Sequence, residues 1–168
     1  MKGNIAIIGV AVVLLTAGAF FVTQNRPDTQ AMPETMEGLH WHPTLAIFIN
    51  DEPYPVPAGV GITLGNNVDN DVSGMRMSPI HTHDASGVLH MEQPYPREDT
   101  VTLGYFFKVW GARFDETCVI DWCNDGTRDV KMFVNGERNY EFGSYRMQDG
   151  DEIEIRYDEG DSMNPQLT

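Results

Sequence analysis

From residue 39 onward, Gly, Pro, Asn and Asp interrupt the apolar runs about every 8–12 residues. Runs that short cannot supply the buried face of long helices. The spacing therefore predicts a mostly β (α+β) fold, an antiparallel sheet domain with one short amphipathic helix. Leu45-Ala46-Ile47-Phe48-Ile49 is apolar at both parities, which predicts a strand covered on both faces. Asn50-Asp51-Glu52-Pro53 then turns the chain toward residues 54–57, and residues 60–64 read as another short strand. The helix is placed by Leu103, Phe106, Phe107 and Trp110 at i, i+3, i+4 and i+7; Thr102 can cap its start, and Gly111 ends the pattern. That aromatic face reads as core packing.

The last third reads as a hairpin and a final strand. Residues 130–134 alternate, Asn135-Gly136 is a strong two-residue hairpin signal, and residues 139–142 return. Gln148-Asp149-Gly150-Asp151-Glu152 then turns into a strand apolar at Ile153, Ile155 and Tyr157. This succession resembles the end of β-grasp domains, which implies a β-grasp-like C-terminal part.

The amino-terminal segment predicts that the domain works outside the cytoplasm. After Lys2, residues 5–22 are apolar or small, near the lower limit for a helix that spans a bilayer. Two readings stand. The run is an uncleaved single-pass membrane anchor with Lys2 inside and the domain outside, or a signal peptide cut near Ala17-Gly18-Ala19 to release a secreted domain. Phe20-Phe21-Val22 carry the apolar run past that cleavage site and favour the anchor. Residues 23–38 are polar and broken by proline, a linker. Residues 39–160 form the extracytoplasmic domain, and 161–168 a tail.

The formal charge of -14, from 25 acidic against 11 basic residues, makes nucleic acid an unsuitable partner, because a phosphate backbone requires a basic surface. Cys118 and Cys123 enclose four residues, and in an oxidising compartment they predict a disulfide, with a thiolate ligand or a redox pair as the competing reading.

The chemistry concentrates in the histidines. All five lie between positions 40 and 90, in His40-Trp41-His42, His81-Thr82-His83-Asp84 and His90. In an extended strand a His-x-His pair sends both imidazoles to one face. If residues 84–87 are a hairpin loop, His81 falls opposite His90 and His83 opposite Val88, so His81, His83 and His90 converge. Three imidazoles make a credible metal site, with water, His40, His42 or a carboxylate completing the shell. Glu92 shares the parity of His90 and can ligate, while Asp84 is placed to hold an imidazole from behind. Met75, Met77 and Met91 add thioethers nearby and tilt the expected ion toward copper, with zinc as the alternative. A blue-copper centre does not fit, since neither cysteine is followed by a histidine. A separate run, residues 69–74, has oxygens at the first, third and fifth positions of a calcium loop, but Ile80 stands where the bidentate Glu belongs. It reads as an acidic turn.

The stretches His40-Trp41-His42-Pro43, Ser78-Pro79-Ile80-His81-Thr82-His83-Asp84-Ala85-Ser86-Gly87-Val88-Leu89-His90-Met91-Glu92 and Thr102-Leu103-Gly104-Tyr105-Phe106-Phe107-Lys108-Val109-Trp110-Gly111 resemble a group of small, single-anchor, exported prokaryotic proteins. The resemblance covers roughly residues 39–111 and implies export and a histidine site without naming a reaction. Cupins also carry His-x-His, but their spacing differs and their fold is not transferred. Three functions follow as expectations: copper capture, delivery or storage outside the cytoplasm; a zinc- or copper-dependent enzyme with an open three-histidine site; or a structural β domain. No protein partner is indicated by the residues.

Overall fold

The computed structural model describes residues 38–66, 68–69 and 76–160. In chain order these carry β1 (Leu39–Trp41), β2 (Thr44–Ile49), β3 (Glu52–Tyr54), β4 (Ile80–His81), β5 (His90–Gln93), helix α1 (Leu103–Trp110), β6 (Cys118–Val119), β7 (Trp122–Cys123), β8 (Arg128–Val134), β9 (Glu137–Asn139) and β10 (Glu152–Glu159). The fold is mostly β with a single α-helix among the described residues.

Strand β10 organises the larger sheet, whose order is β3-β2-β10-β8-β9. It runs parallel to β2, from Glu152 beside Thr44 to Tyr157 beside Ile49, and antiparallel to β8. Its alternation is strict. Ile153, Ile155 and Tyr157 enter the core, while Glu154, Arg156 and Asp158 face outward. Hairpins β2–β3 and β8–β9 flank a central last strand that runs parallel to β2.

Strand β2 departs from expectation. Only Leu45, Ile47 and Ile49 are buried, and the opposite face, with Ala46 exposed and Phe48 half-buried, has no covering layer among the described residues. Phe48 is shielded instead by the Arg156 guanidinium, 4.7 Å above its ring. The turn after β2 is tighter than expected: Asn50 and Asp51 sit at φ 51° and 65°, so the return begins at Glu52. Residues 60–64 form no strand. Gly59 and Gly61, at φ 76° and 73°, wind this stretch into turns, and Gly59 O accepts from the backbone N–H of Ile62, Thr63 and Leu64. The Asn135-Gly136 turn adopts φ 52° and 81° and joins β8 to β9 as the dipeptide predicts. Its return strand ends at Asn139, and Phe142 lies in a 3-10 turn instead of a strand.

Helix α1 matches its sequence signature. Thr102 Oγ1 accepts from Tyr105 N–H at 3.2 Å, and Gly111, at φ 81°, closes the helix by donating its N–H to Phe107 O at 2.9 Å. Leu103, Phe106 and Phe107 are almost wholly buried. Cys118 and Cys123 are paired across the β6–β7 hairpin and joined by a disulfide.

The smaller sheet has the order β1-β5-β4, all antiparallel. Its inner residues Leu39, Ile80 and Met91 belong to the same apolar cluster as Ile47, Met132 and Ile155 of the larger sheet and Phe106 and Phe107 of the helix. One core thus fixes the backbone on which the histidines are mounted.

No helix among the described residues is long and apolar enough to cross a membrane. The expected anchor or leader at residues 5–22 lies outside the described residues, as do the tail and positions 70–74 of the acidic run. Asp69, which begins that run, accepts from Tyr105 Oη at 2.6 Å and from Arg97 Nη2 at 2.9 Å.

Candidate metal centre

The register of the small sheet decides where the imidazoles go. Ile80 pairs with Met91, and both side chains are fully buried in the core. Side chains alternate along a strand, so their neighbours His81 and His90, paired with each other, rise from the opposite face. On the far side of β5, Leu39 pairs with Gln93, His40 with Glu92 and Trp41 with Met91. Leu39 is again a core residue, which puts His40 and Glu92 on the histidine face. Three separate segments thereby deliver their imidazoles to one side of one sheet.

The rings are close neighbours. Centroids of His83 and His90 are 4.4 Å apart, His81 and His83 4.9 Å, and His81 and His90 5.6 Å, so these three are in mutual contact. His42 lies 5.0 Å from His90, and His40 lies 4.7 Å from His42. Glu92 Oε1 is 3.2 Å from His40 Nε2. Asp84 Oδ1 accepts from Ser86 N–H at 2.9 Å and so pins the turn between His83 and His90; the Ser86 hydroxyl and N–H hold its carboxyl below the ordinary aspartate value.

His81 is the deepest member, with no exposed surface. Its Nδ1 lies 3.1 Å from Ser78 O. A carbonyl can only accept, so Nδ1 carries the hydrogen and Nε2 presents its lone pair. That Nε2 is buried and has no hydrogen-bond partner among the described residues. Burial, chiefly, pushes the His81 imidazole below its ordinary value, against the opposing effects of the Ser78 carbonyl and Glu92; His83 and His90 push it lower still. Burial again leads for His90, followed by His83 and His42, while Glu92 and Asp84 oppose. The lowered values favour the neutral form of both rings, the form that binds metals.

The proximity is one of rings. As they stand, no three or more His, Cys, Asp or Glu side chains among the described residues are disposed to hold a metal ion. Several neighbouring rings meet edge to face, as between His83 and His90 at 77°.

No family model, curated protein or solved structure matches the chain. The reading of the site therefore rests on its own residues.

Of the methionines considered, Met91 is turned into the core, away from the imidazoles, because it alternates with His90 and Glu92. Met77 is half-buried, and Met75 lies outside the described residues. Three residues that serve the site were not evident in the sequence. Ser78 supplies the carbonyl that orients His81; Asp149 Oδ1 accepts from His42 N–H at 2.8 Å; and Gly87 O accepts from Leu45 N–H at 2.8 Å, docking the histidine loop on β2. Two of these act through backbone carbonyls, which carry no side-chain signature. The third is a contact across 107 positions.

Proposed function

We propose that this domain binds a transition-metal ion, copper ahead of zinc, through His81, His83 and His90, with His42 or water completing the shell. Its role is to capture, deliver or store that ion outside the cytoplasm, with the amino-terminal apolar run as its membrane tether. The observation that carries this reading is the buried Nε2 of His81, which has no hydrogen-bond partner among the described residues. A buried polar atom without a partner costs about 1–3 kcal/mol. An ion on that lone pair removes the cost, and a backbone carbonyl behind the other ring nitrogen is the usual support of a metal-bound histidine.

The spacing of the rings supports the same reading. Two imidazoles bonded at about 2.0–2.1 Å to one ion have ring centres roughly 5 Å apart, and the three here are separated by 4.4–5.6 Å. With His81 held by the Ser78 carbonyl, binding would require His83 and His90 to turn about their soft terminal torsions toward its Nε2. Copper leads because nitrogen sites bind it more tightly than zinc. With Met91 directed into the core, Met75 and Met77 are the thioethers that remain to favour copper.

An enzymatic role is the second reading, favoured by the exposure of His83, which leaves one side of such an ion open to water. Elemental analysis of the full chain, tag-free and purified without chelators, tests the main proposal. Metal is expected in the native protein and lost from the His81→Ala, His83→Ala double variant; equal metal in both samples overturns the site.

A further inference from the structure

We infer that the histidine face holds two ions, an inner one on His81, His83 and His90 with water completing its shell, and an outer one on His40, His42 and Glu92. This rests on the metal-binding reading above and extends it to a second site.

The face carries more donors than one ion takes. Copper or zinc with such ligands binds about four, whereas five imidazoles and the Glu92 carboxylate stand on one side of the small sheet. The contacts run as a chain through these six, with a closed triangle at one end and His40 and Glu92 at the other. His81, His83 and His90 each touch both of the others. Among the described residues His40 meets the ring of His42 and the carboxylate of Glu92, and His42 is the link to His90.

Sheet geometry keeps the ends apart. Strands β1 and β4 flank β5 on opposite sides, so their backbones are separated by two strand spacings, roughly 10 Å. His40 pairs with Glu92, whereas His81 pairs with His90, two residues further along β5 and so about 7 Å away in the strand direction. Side chains that stand up from a sheet do not cross that diagonal to share one ion. An ion seated on the buried Nε2 of His81 leaves His40 without a role, and the 3.2 Å approach of Glu92 to His40 places an anionic oxygen beside it.

The two sets differ in chemistry. The inner one is three imidazoles, one of them, His81, fully buried. The outer one includes a carboxylate and a His40 side chain that is 65% exposed, which suits a divalent ion, Cu(II) or Zn(II), over soft Cu(I). An ion entering from solvent meets the outer set first, and His42 stands between it and the inner one.

The test is a titration of the tag-free full chain with copper(II), glycine being present to strip weakly held ions, followed by elemental analysis after gel filtration. Two equivalents per chain are expected. His40→Ala and Glu92→Gln should each retain one, and so should His83→Ala. His40 and His83 are exposed, so these variants keep their fold, which circular dichroism checks. The doubly loaded protein should also show magnetic broadening between the two Cu(II) ions, absent from each singly loaded variant. One equivalent in the native chain, unchanged in His40→Ala, overturns the outer site and leaves the inner reading standing. No retained copper at all overturns both.

Discussion

His81 and His90 face each other across the β4–β5 pair, in register, with ring planes 16° apart and centroids separated by 5.6 Å. With both rings in the proposed inner site, their effects on metal affinity are expected to be non-additive. His81→Leu and His90→Leu should each weaken copper binding by about 100-fold or more, at least the loss seen when a supporting partner is removed. The double variant should be little worse than either single one. Competition with a chromophoric chelator measures all three. Losses that simply multiply would show that the rings act at separate places.

The same pair sets a pH dependence. Both imidazoles are held below the ordinary value of about 6.5 in the folded chain, while in the unfolded chain they return to it. Between the lowered folded value and 6.5 the unfolded state therefore binds more protons, and stability rises with pH across that window. The stability is fully present above about pH 6.5 and is lost as the pH falls toward the folded value. Urea unfolding of the metal-free protein at about pH 8 and about pH 5.5 should show weaker stability in acid, with a smaller difference in His81→Leu. A native protein that is equally stable at both pH values would contradict the assigned burial.

Gly87 couples the loop to the main sheet. It sits at φ 86°, and a Cβ built there would lie 2.4 Å from the Leu45 carbonyl oxygen. The loop is stitched on by Leu45 N–H to Gly87 O at 2.8 Å and by Leu89 N–H to Pro43 O at 2.9 Å. Gly87→Ala should cost about 2–3 kcal/mol in denaturant unfolding, combining left-handed strain with a backbone clash. It should also weaken metal binding, although no donor is altered, because His83 and His90 flank the displaced loop. Native affinity in this variant would show that the loop is not what positions the rings.

What could be read from sequence was the local part of this arrangement. The pairing of His81 with His90 follows from strand parity and the length of the loop at residues 84–87, both contained in one short stretch. The Thr102 cap, the Gly111 stop and the Asn135-Gly136 turn are equally local. The placement of β1 beside β5 is different. It brings His40 opposite Glu92, 52 positions away by number, through a pairing chosen by the shared core and not by any neighbouring residue. Solvent exposure on the outer face of β2 was hidden for a related reason: Phe48 is apolar, and its cover, Arg156, comes from the far end of the domain. Met91 misled because sequence adjacency to His90 counts for less than the alternation that turns it inward.

The disulfide should matter to stability and not to the metal. In the chain-entropy picture a loop as short as that between Cys118 and Cys123 contributes about 2 kcal/mol. Arg113 Nη1 lies 3.8 Å from Cys123 Sγ, and Cys118 is buried against the hairpin, so the pair belongs to the packing of this segment. The Cys118→Ser, Cys123→Ser double variant is expected to unfold at lower urea and to retain the native copper content. Loss of copper would bring a thiolate back as a ligand.

Asp149 and Asp151 share a turn but hold different things, and their variants should separate accordingly. Asp151 is buried; its Oδ2 accepts from Tyr145 Oη and Gln148 N–H, each at 2.7 Å, and its Oδ1 from Asn135 Nδ2 at 3.1 Å. Its backbone oxygen accepts from Thr44 N–H at 2.8 Å, where β2 and β10 begin. Removing a buried carboxylate strands those donors, so Asp151→Ala should cost about 3 kcal/mol, since bonds to a charged group contribute about 1.5–3 kcal/mol. Asp149 is exposed, and its side chain accepts from the backbone of His42. Asp149→Ala should leave the unfolding midpoint nearly unchanged while freeing the end of β1, and so lower affinity at the outer ligands more than at the inner three. Urea unfolding beside a copper titration gives both readouts from one preparation. Equal effects of the two variants on stability would mean that the turn acts as one unit, without the division of roles its contacts describe.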